Sequence, residues 1–135
     1  MSRRKAREMA LQALFQLDYN QTDSQEALGV VFNERSGVAE NAKKYSQELV
    51  HGTQSHLREI DEMIAGNSTE WKLDRMAGVD RNITRMAIYE LKFSQEQLAP
   101  NIIINEAVEL AKTFGSDESG RFINGILGSL VKSKE

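Results

Sequence analysis

Apolar positions recur along this chain at the three-to-four-residue spacing of helices that bury one face. Ala6, Met9, Ala10, Ala13, Leu14 and Leu17 share one side of a first helix predicted over about 3–19. Thr22-Asp23-Ser24-Gln25 has capping-box spacing ahead of a second helix carrying Leu28, Val31 and Phe32, and Gly37 is its expected stop. A long third helix over about 39–65 aligns Ala42, Tyr45, Leu49, Thr53, Leu57, Ile60 and Ile64 on one stripe. Gly66-Asn67-Ser68 ends it.

Residues 67–78 read as a loop with one short turn around Leu73–Met76, plugged by Trp71. The following helix, about 79–96, is apolar over much of its circumference, which predicts a central element. Pro100 separates it from an amphipathic helix over 101–114, whose Ile103, Ile104, Ala107, Leu110, Ala111 and Phe114 oppose Asn105, Glu106, Glu109 and Lys112. Gly115 closes that helix, and a polar turn at Ser116–Gly120 leads into a last one bearing Phe122, Ile123, Ile126, Leu127, Leu130 and Val131. The expected fold is all-α, with about six or seven helices in two packed bundles. The expected organisation is one domain over 1–135, an N-terminal bundle at about 1–66 and a C-terminal bundle at about 67–135.

Composition narrows the class. A length of 135 residues suits one domain with a real core, and the absence of Cys removes disulfides, thiolate metal sites and Cys nucleophiles. No apolar run approaches the roughly 20 residues of a membrane span, and the arginines near the N-terminus precede no signal-peptide segment. These features predict a soluble, cytoplasmic protein that makes no membrane contact.

Charge is unevenly placed. Residues 1–10 hold four Lys/Arg against one acid, whereas the rest of the chain holds thirteen against nineteen. Arg3, Arg4, Lys5 and Arg7 therefore form a local anchor for a polyanion on an otherwise acidic chain. Phe15 projects about 170° from the centre of the apolar stripe, on the side of Arg4, Leu11 and, more loosely, Arg7. Cations that grip phosphates beside an exposed ring that stacks on a base make a platform for single-stranded RNA. The alternatives are that Leu11 and Phe15 pack against the other bundle with the arginines merely solvated, or that a Leu11/Phe15 ridge is a homodimer interface that hides the basic cluster. Four cations on an acidic chain bind weakly at physiological salt, so a second surface or a basic partner is expected.

Other motifs carry less. Gly115-x-x-x-x-Gly120-Arg121-Phe122 approximates a phosphate loop but lacks its Lys and Ser/Thr and follows a helix. Glu48-x-x-His51 has di-iron spacing without a second copy, on a polar helix face, and His56 is out of step with His51 for zinc. Glu90 interrupts an apolar helix, and a structural ion pair with Arg81 or Arg85, or a contact with Asn105, is its expected role. No enzymatic constellation and no cofactor site emerges.

Several segments carry a resemblance. They are Arg3-Arg4-Lys5-Ala6-Arg7-Glu8 with Ala13-Leu14-Phe15-Gln16, Val79-Asp80-Arg81, and Arg85-x-Ala87-x-Tyr89-Glu90-Leu91. With them go Ile104-Asn105-Glu106-Ala107-Val108-Glu109-Leu110-Ala111-Lys112-x-Phe114-Gly115 and Phe122-Ile123-Asn124-Gly125-Ile126-Leu127. In order and spacing, over nearly the whole chain, they resemble the bacterial transcription antitermination factor NusB family. The resemblance implies an all-α fold of two bundles and no catalysis. It also implies binding to the single-stranded boxA element of ribosomal RNA leader transcripts together with NusE, a small-subunit ribosomal protein. The setting would be a transcription elongation complex that also aids rRNA maturation.

Carried over by position, the resemblance makes Arg3, Arg4, Lys5 and Arg7 the RNA-binding cations and Phe15 an aromatic along the RNA path. Glu118 and Phe122 are second-tier positions, and Asp80 is weaker. Three residues depart from the family pattern. Phe15 lacks the phenolic hydroxyl common there, Thr84 replaces an aliphatic residue, and Gly120 loosens a turn that often carries a larger polar residue.

Overall fold

The computed structural model describes residues 3–20, 22–66, 76–95 and 98–132. Among these are seven helices and no strand: α1 (Arg3–Tyr19), α2 (Ser24–Asn33), α3 (Glu40–Ser55), α4 (Leu57–Gly66), α5 (Gly78–Lys92), α6 (Pro100–Phe114) and α7 (Ser119–Lys132). The expectations for Trp71 and the turn beside it fall at 67–75, outside the described residues.

Local chemistry explains the boundaries. Asp23, rather than Thr22, caps α2, its Oδ1 accepting the Glu26 N–H at 2.8 Å while Thr22 Oγ1 donates to the Glu26 carboxylate at 2.6 Å. That helix stops at Asn33, and Gly37 serves the turn beyond it, at a φ of 69° that favours glycine. Pro100 occupies the first turn of α6, where its missing N–H leaves no intrahelical bond unmade.

The long helix expected over 39–65 is divided at His56, whose backbone leaves helical geometry at φ −110°, ψ 20°. There the imidazole stacks on Phe93, with ring centroids 4.1 Å apart and planes within 13°. The apolar stripe largely survives the interruption, because Ala42, Tyr45, Leu49, Thr53, Ile60 and Ile64 are buried, while Leu57, just past the break, is half-buried. A hydrophobic period therefore continued across a break that the pattern alone does not reveal.

Helix α1 packs on α2 and α3, α6 packs on α7, and α5 touches α1, α3, α4, α6 and α7. This is the central role predicted for the helix with apolar residues on most sides, and Ile83, Met86, Ala87 and Ile88 are buried along it. One continuous cluster of buried side chains runs through both groups of helices. Thr84, a departure from the family pattern, is buried with its hydroxyl donating to the Asp80 carbonyl at 2.7 Å, so the polar atom is satisfied within its own helix. Gly120 lies buried in the first turn of α7 instead of loosening a turn ahead of it.

Helices α3 and α5 approach closely at Gly52. A Cβ there would lie 2.2 Å from Tyr89 Cε1, and the ring has little freedom because its hydroxyl donates to Glu48 at 2.9 Å. Gly52→Ala is therefore expected to lower stability by about 1–3 kcal/mol through overpacking, as measured by the urea midpoint at unchanged m-value.

Candidate nucleic-acid interface

The basic turn at the start of α1 divides into two sets. Arg4 and Lys5 are exposed and Arg3 is half-buried, with its guanidinium 5.0 Å from the Tyr45 ring centroid. Arg7 instead points inward, and only 4% of its side chain is exposed. It sits one turn ahead of the buried Ala10 and Leu11, on the part of the helix surface that meets α5 and α6. Arg7 therefore leaves the exposed cation set in which the sequence placed it.

Its partner is Glu90. Nε and Nη2 of Arg7 each donate to one Glu90 oxygen at 2.8 Å, and the Tyr45 hydroxyl donates a further short hydrogen bond to the same carboxylate. The ion pair expected of Glu90 is present, but with Arg7 of α1 instead of Arg81, Arg85 or Asn105. Burial works to lower the Arg7 pKa, and the Glu90 carboxylate overrides it, leaving the guanidinium more basic than usual. Burial, reinforced by Glu90, raises the Tyr45 hydroxyl well above its ordinary value, so it remains a donor.

Arg4 is tied differently. Its Nε and Nη2 form a two-pronged bond to Glu106 of α6 at 3.1 and 2.9 Å, and Arg7 Nη1 lies 3.9 Å from the same carboxylate. The Arg4 side chain is still 56% exposed. The hydrogen bond from Arg4 holds the Glu106 carboxyl below the usual carboxylate range. Glu106 was expected on a solvated stripe with Asn105, Glu109 and Lys112, so this bond between helices is one that periodicity does not disclose.

Eleven residues, or about 16 Å, separate Arg4 from Phe15, and three full turns return them to nearly the same azimuth. Phe15 is exposed, as expected, and Tyr19 one turn on is more so, with the ring centroids 5.0 Å apart. The two rings lie over the start of α5, where a Cβ on Gly78 would be 3.1 Å from Phe15 Cε1. A cleft of about 290 Å³ opens beside them, lined by Leu11, Gln12, Phe15, Gln16, Val79 and Phe114. Leu11 is buried at its base rather than standing as an outer ridge. Phe114, assigned to the inner face of its helix, is in fact exposed at the rim. Sequence reasoning passed over Tyr19, although its spacing of four from Phe15 was the available signal.

The far end of α1 is fixed by Asp18, which accepts from Arg81 at 3.0 Å and Asn82 at 2.7 Å and lies 3.7 Å from Arg85. Arg85 in turn makes a two-pronged bond to Asp61 of α4, at 2.8 and 3.0 Å.

The remaining candidates are dispersed among other elements. Asp80 is half-buried in the first turn of α5, and its Oδ1 is enclosed without a hydrogen-bond partner. Glu118 is exposed just ahead of α7, 3.7 Å from Arg121, while Phe122 is partly buried against the core. Glu48 is a structural acceptor for Tyr89 and Ser94, and His51 bonds Ser24. Burial, with Glu48, pushes the Tyr89 pKa up to about 12. Among the described residues no group of three or more His, Cys, Asp or Glu is placed to hold a metal ion, and no helix is long and apolar enough to cross a membrane.

Two outcomes are expected. Glu90→Ala leaves a buried guanidinium without its counter-ion and should destabilise the fold by about 3–5 kcal/mol in chemical denaturation. The Glu106 pKa is depressed on folding, so the Arg4–Glu106 contribution to stability is full above the unfolded carboxylate value and lost as pH falls through the folded one. In Arg4→Ala the Glu106 carboxyl resonance should titrate at higher pH than in the wild type.

A model of the NusB family matches residues 4–132. The chain is 51% identical to the transcription antitermination protein NusB of Pelotomaculum thermopropionicum, over all of this chain and 92% of that one. Among solved structures, Thermotoga maritima NusB superposes with a TM-score of 0.89 at 34% identity, covering 98% of this chain and 92% of the other. Antitermination factor NusB in a crystal structure with NusE and double-stranded RNA superposes with a TM-score of 0.86 at 29% identity, covering 97% and 96%. Fold, motifs and matches agree over nearly the full length: this chain belongs to the NusB family of transcription antitermination proteins, which are not enzymes.

Proposed function

We propose that this protein binds RNA along α1, with Arg3, Arg4 and Lys5 holding phosphates and Phe15, joined by Tyr19, stacking on an unpaired base. The observation that carries the reading is the alignment of exposed Arg4 and exposed Phe15 on one line of a helix anchored at both ends. Phosphate contacts position a strand and ring contacts read or grip its bases, so the two sets divide the work. Glu118, Phe122 and Asp80 are secondary positions, where the acids accept from base amino groups or a 2′-hydroxyl and the ring stacks. Arg7 contributes by holding α1 in place and not by touching RNA.

The RNA is the boxA type of ribosomal RNA leaders, and NusE is the partner, within an elongation complex that also serves rRNA maturation. Support comes from the relative crystallised with NusE and RNA and from the net charge of −3, which a basic ribosomal protein offsets. That relative's RNA is double-stranded, whereas exposed rings beside cations favour a single strand.

Titration of a boxA-like single strand and of its duplex, with and without NusE, tests the reading. The single strand should bind more tightly, and NusE should strengthen it. Arg4→Ala should weaken binding and shallow the slope of log affinity against log salt by about 0.7. Phe15→Ala should cost roughly 1–3 kcal/mol with the slope intact. Failure to bind in every condition, with a tight homodimer in sedimentation, would favour α1 as a self-association surface instead.

A further inference from the structure

Resting on that RNA-binding reading, we infer that Glu106 is a specificity-setting residue that occupies Arg4 as an internal stand-in for phosphate, which the RNA backbone must displace. A carboxylate and a phosphate offer a guanidinium the same paired oxygens, and Glu106 already takes the Nε and Nη2 edge of Arg4 at 3.1 and 2.9 Å. That edge is the one a phosphate would use for a two-pronged bond.

Three features make the exchange feasible. The Arg4 side chain is 56% exposed, against 4% for Arg7, so only Arg4 is free to swing outward. Glu106 is not orphaned when Arg4 leaves, because Arg7 Nη1 stands 3.9 Å from it and the fixed Arg7–Glu90 pair keeps that cation in place. The neighbouring carboxylates are already occupied, Glu8 lying 3.7 Å from Arg35 and Glu109 3.7 Å from Lys112, so Glu106 is the one that competes with a phosphate for Arg4. The expected result is lower affinity for polyanions in general, with binding reserved for strands that also engage the Phe15 cleft.

The test measures binding of a short single-stranded RNA oligonucleotide and of heparin to the wild type, Glu106→Gln, Glu109→Gln, Arg4→Ala and Arg4→Ala/Glu106→Gln. Glu106→Gln should tighten RNA about two- to fivefold, the range of an exposed ion pair, and tighten heparin at least as much. Glu109→Gln removes the same charge without breaking the two-pronged bond and should change little. The gain from Glu106→Gln should vanish in the Arg4→Ala background.

Weakened binding by Glu106→Gln would instead make Glu106 a holder of Arg4 in its binding pose and overturn the latch. A gain that persists without Arg4, or that Glu109→Gln reproduces, would reduce the effect to net charge and overturn it equally. Should Glu106→Gln fold poorly by thermal melting, the Arg4 Nε–H resonance of the wild type decides. It should shift away from its hydrogen-bonded position as RNA is added, and an unchanged resonance at saturation overturns the inference. Loss of RNA affinity in Arg4→Ala with no gain in Glu106→Gln sinks the latch alone. Absence of RNA binding by the wild type sinks the underlying reading.

Discussion

The Arg7–Glu90 pair, capped by the Tyr45 hydroxyl, is the interaction on which the arrangement of the molecule depends. Two charges withdrawn from water are tolerated only when geometry is good and the remaining valences are filled, and here both prongs and a phenolic donor meet that condition. The pair joins α1, α3 and α5, three elements that belong to different parts of the sequence. An apolar contact of the same area would allow neighbouring registers, whereas a two-pronged ion pair accepts one. The position of α1 along and around its axis is therefore set by chemistry buried beneath it.

That setting is repeated at the other end of the helix, where Asp18 gathers donors from α5. The exposed line of α1 runs past both anchors, from Arg4 to Phe15 and on to Tyr19, and its two rings are residues that a purely structural helix would avoid exposing. Phe15 and Tyr19 remain uncovered over a small apolar cleft, and Arg4 is covered only by an exchangeable carboxylate. The anchoring residues Arg7 and Asp18 flank the line of Arg4 and Phe15, each about 60° around the helix from its neighbour on that line. The basic turn is divided, with Arg7 committed to the interior, Arg3 half-buried against Tyr45, and Arg4 and Lys5 exposed.

Much of this was legible in the residues. Period, caps and the single proline located the helices, and the circumferential apolarity of Val79–Leu91 identified the central one. The break at His56 escaped because hydrophobic spacing runs through it and the ring on which His56 stacks, Phe93, lies nearly forty residues away. The inward turn of Arg7 escaped for a similar reason. A wheel ranks a guanidinium as outward, and only the partner contributed by a distant helix reverses that ranking. Glu90 announced itself as a buried acid in need of a cation without indicating which one. Phe15 was recognisable as out of place and Tyr19 one turn on could have been read with it, but Phe114 joins them only when three helices are assembled around the cleft.

The alignment of positions 4 and 15 has a consequence for how this helix tolerates change. Because eleven residues return a side chain to nearly the same bearing, one residue inserted or removed between them would swing the ring through about 100° relative to the cation. It would also pull Asp18 out of step with Arg81 and Asn82. Exchanging one outward side chain for another leaves that ruler untouched. In this segment the count of residues is thus more tightly constrained than their outward identities.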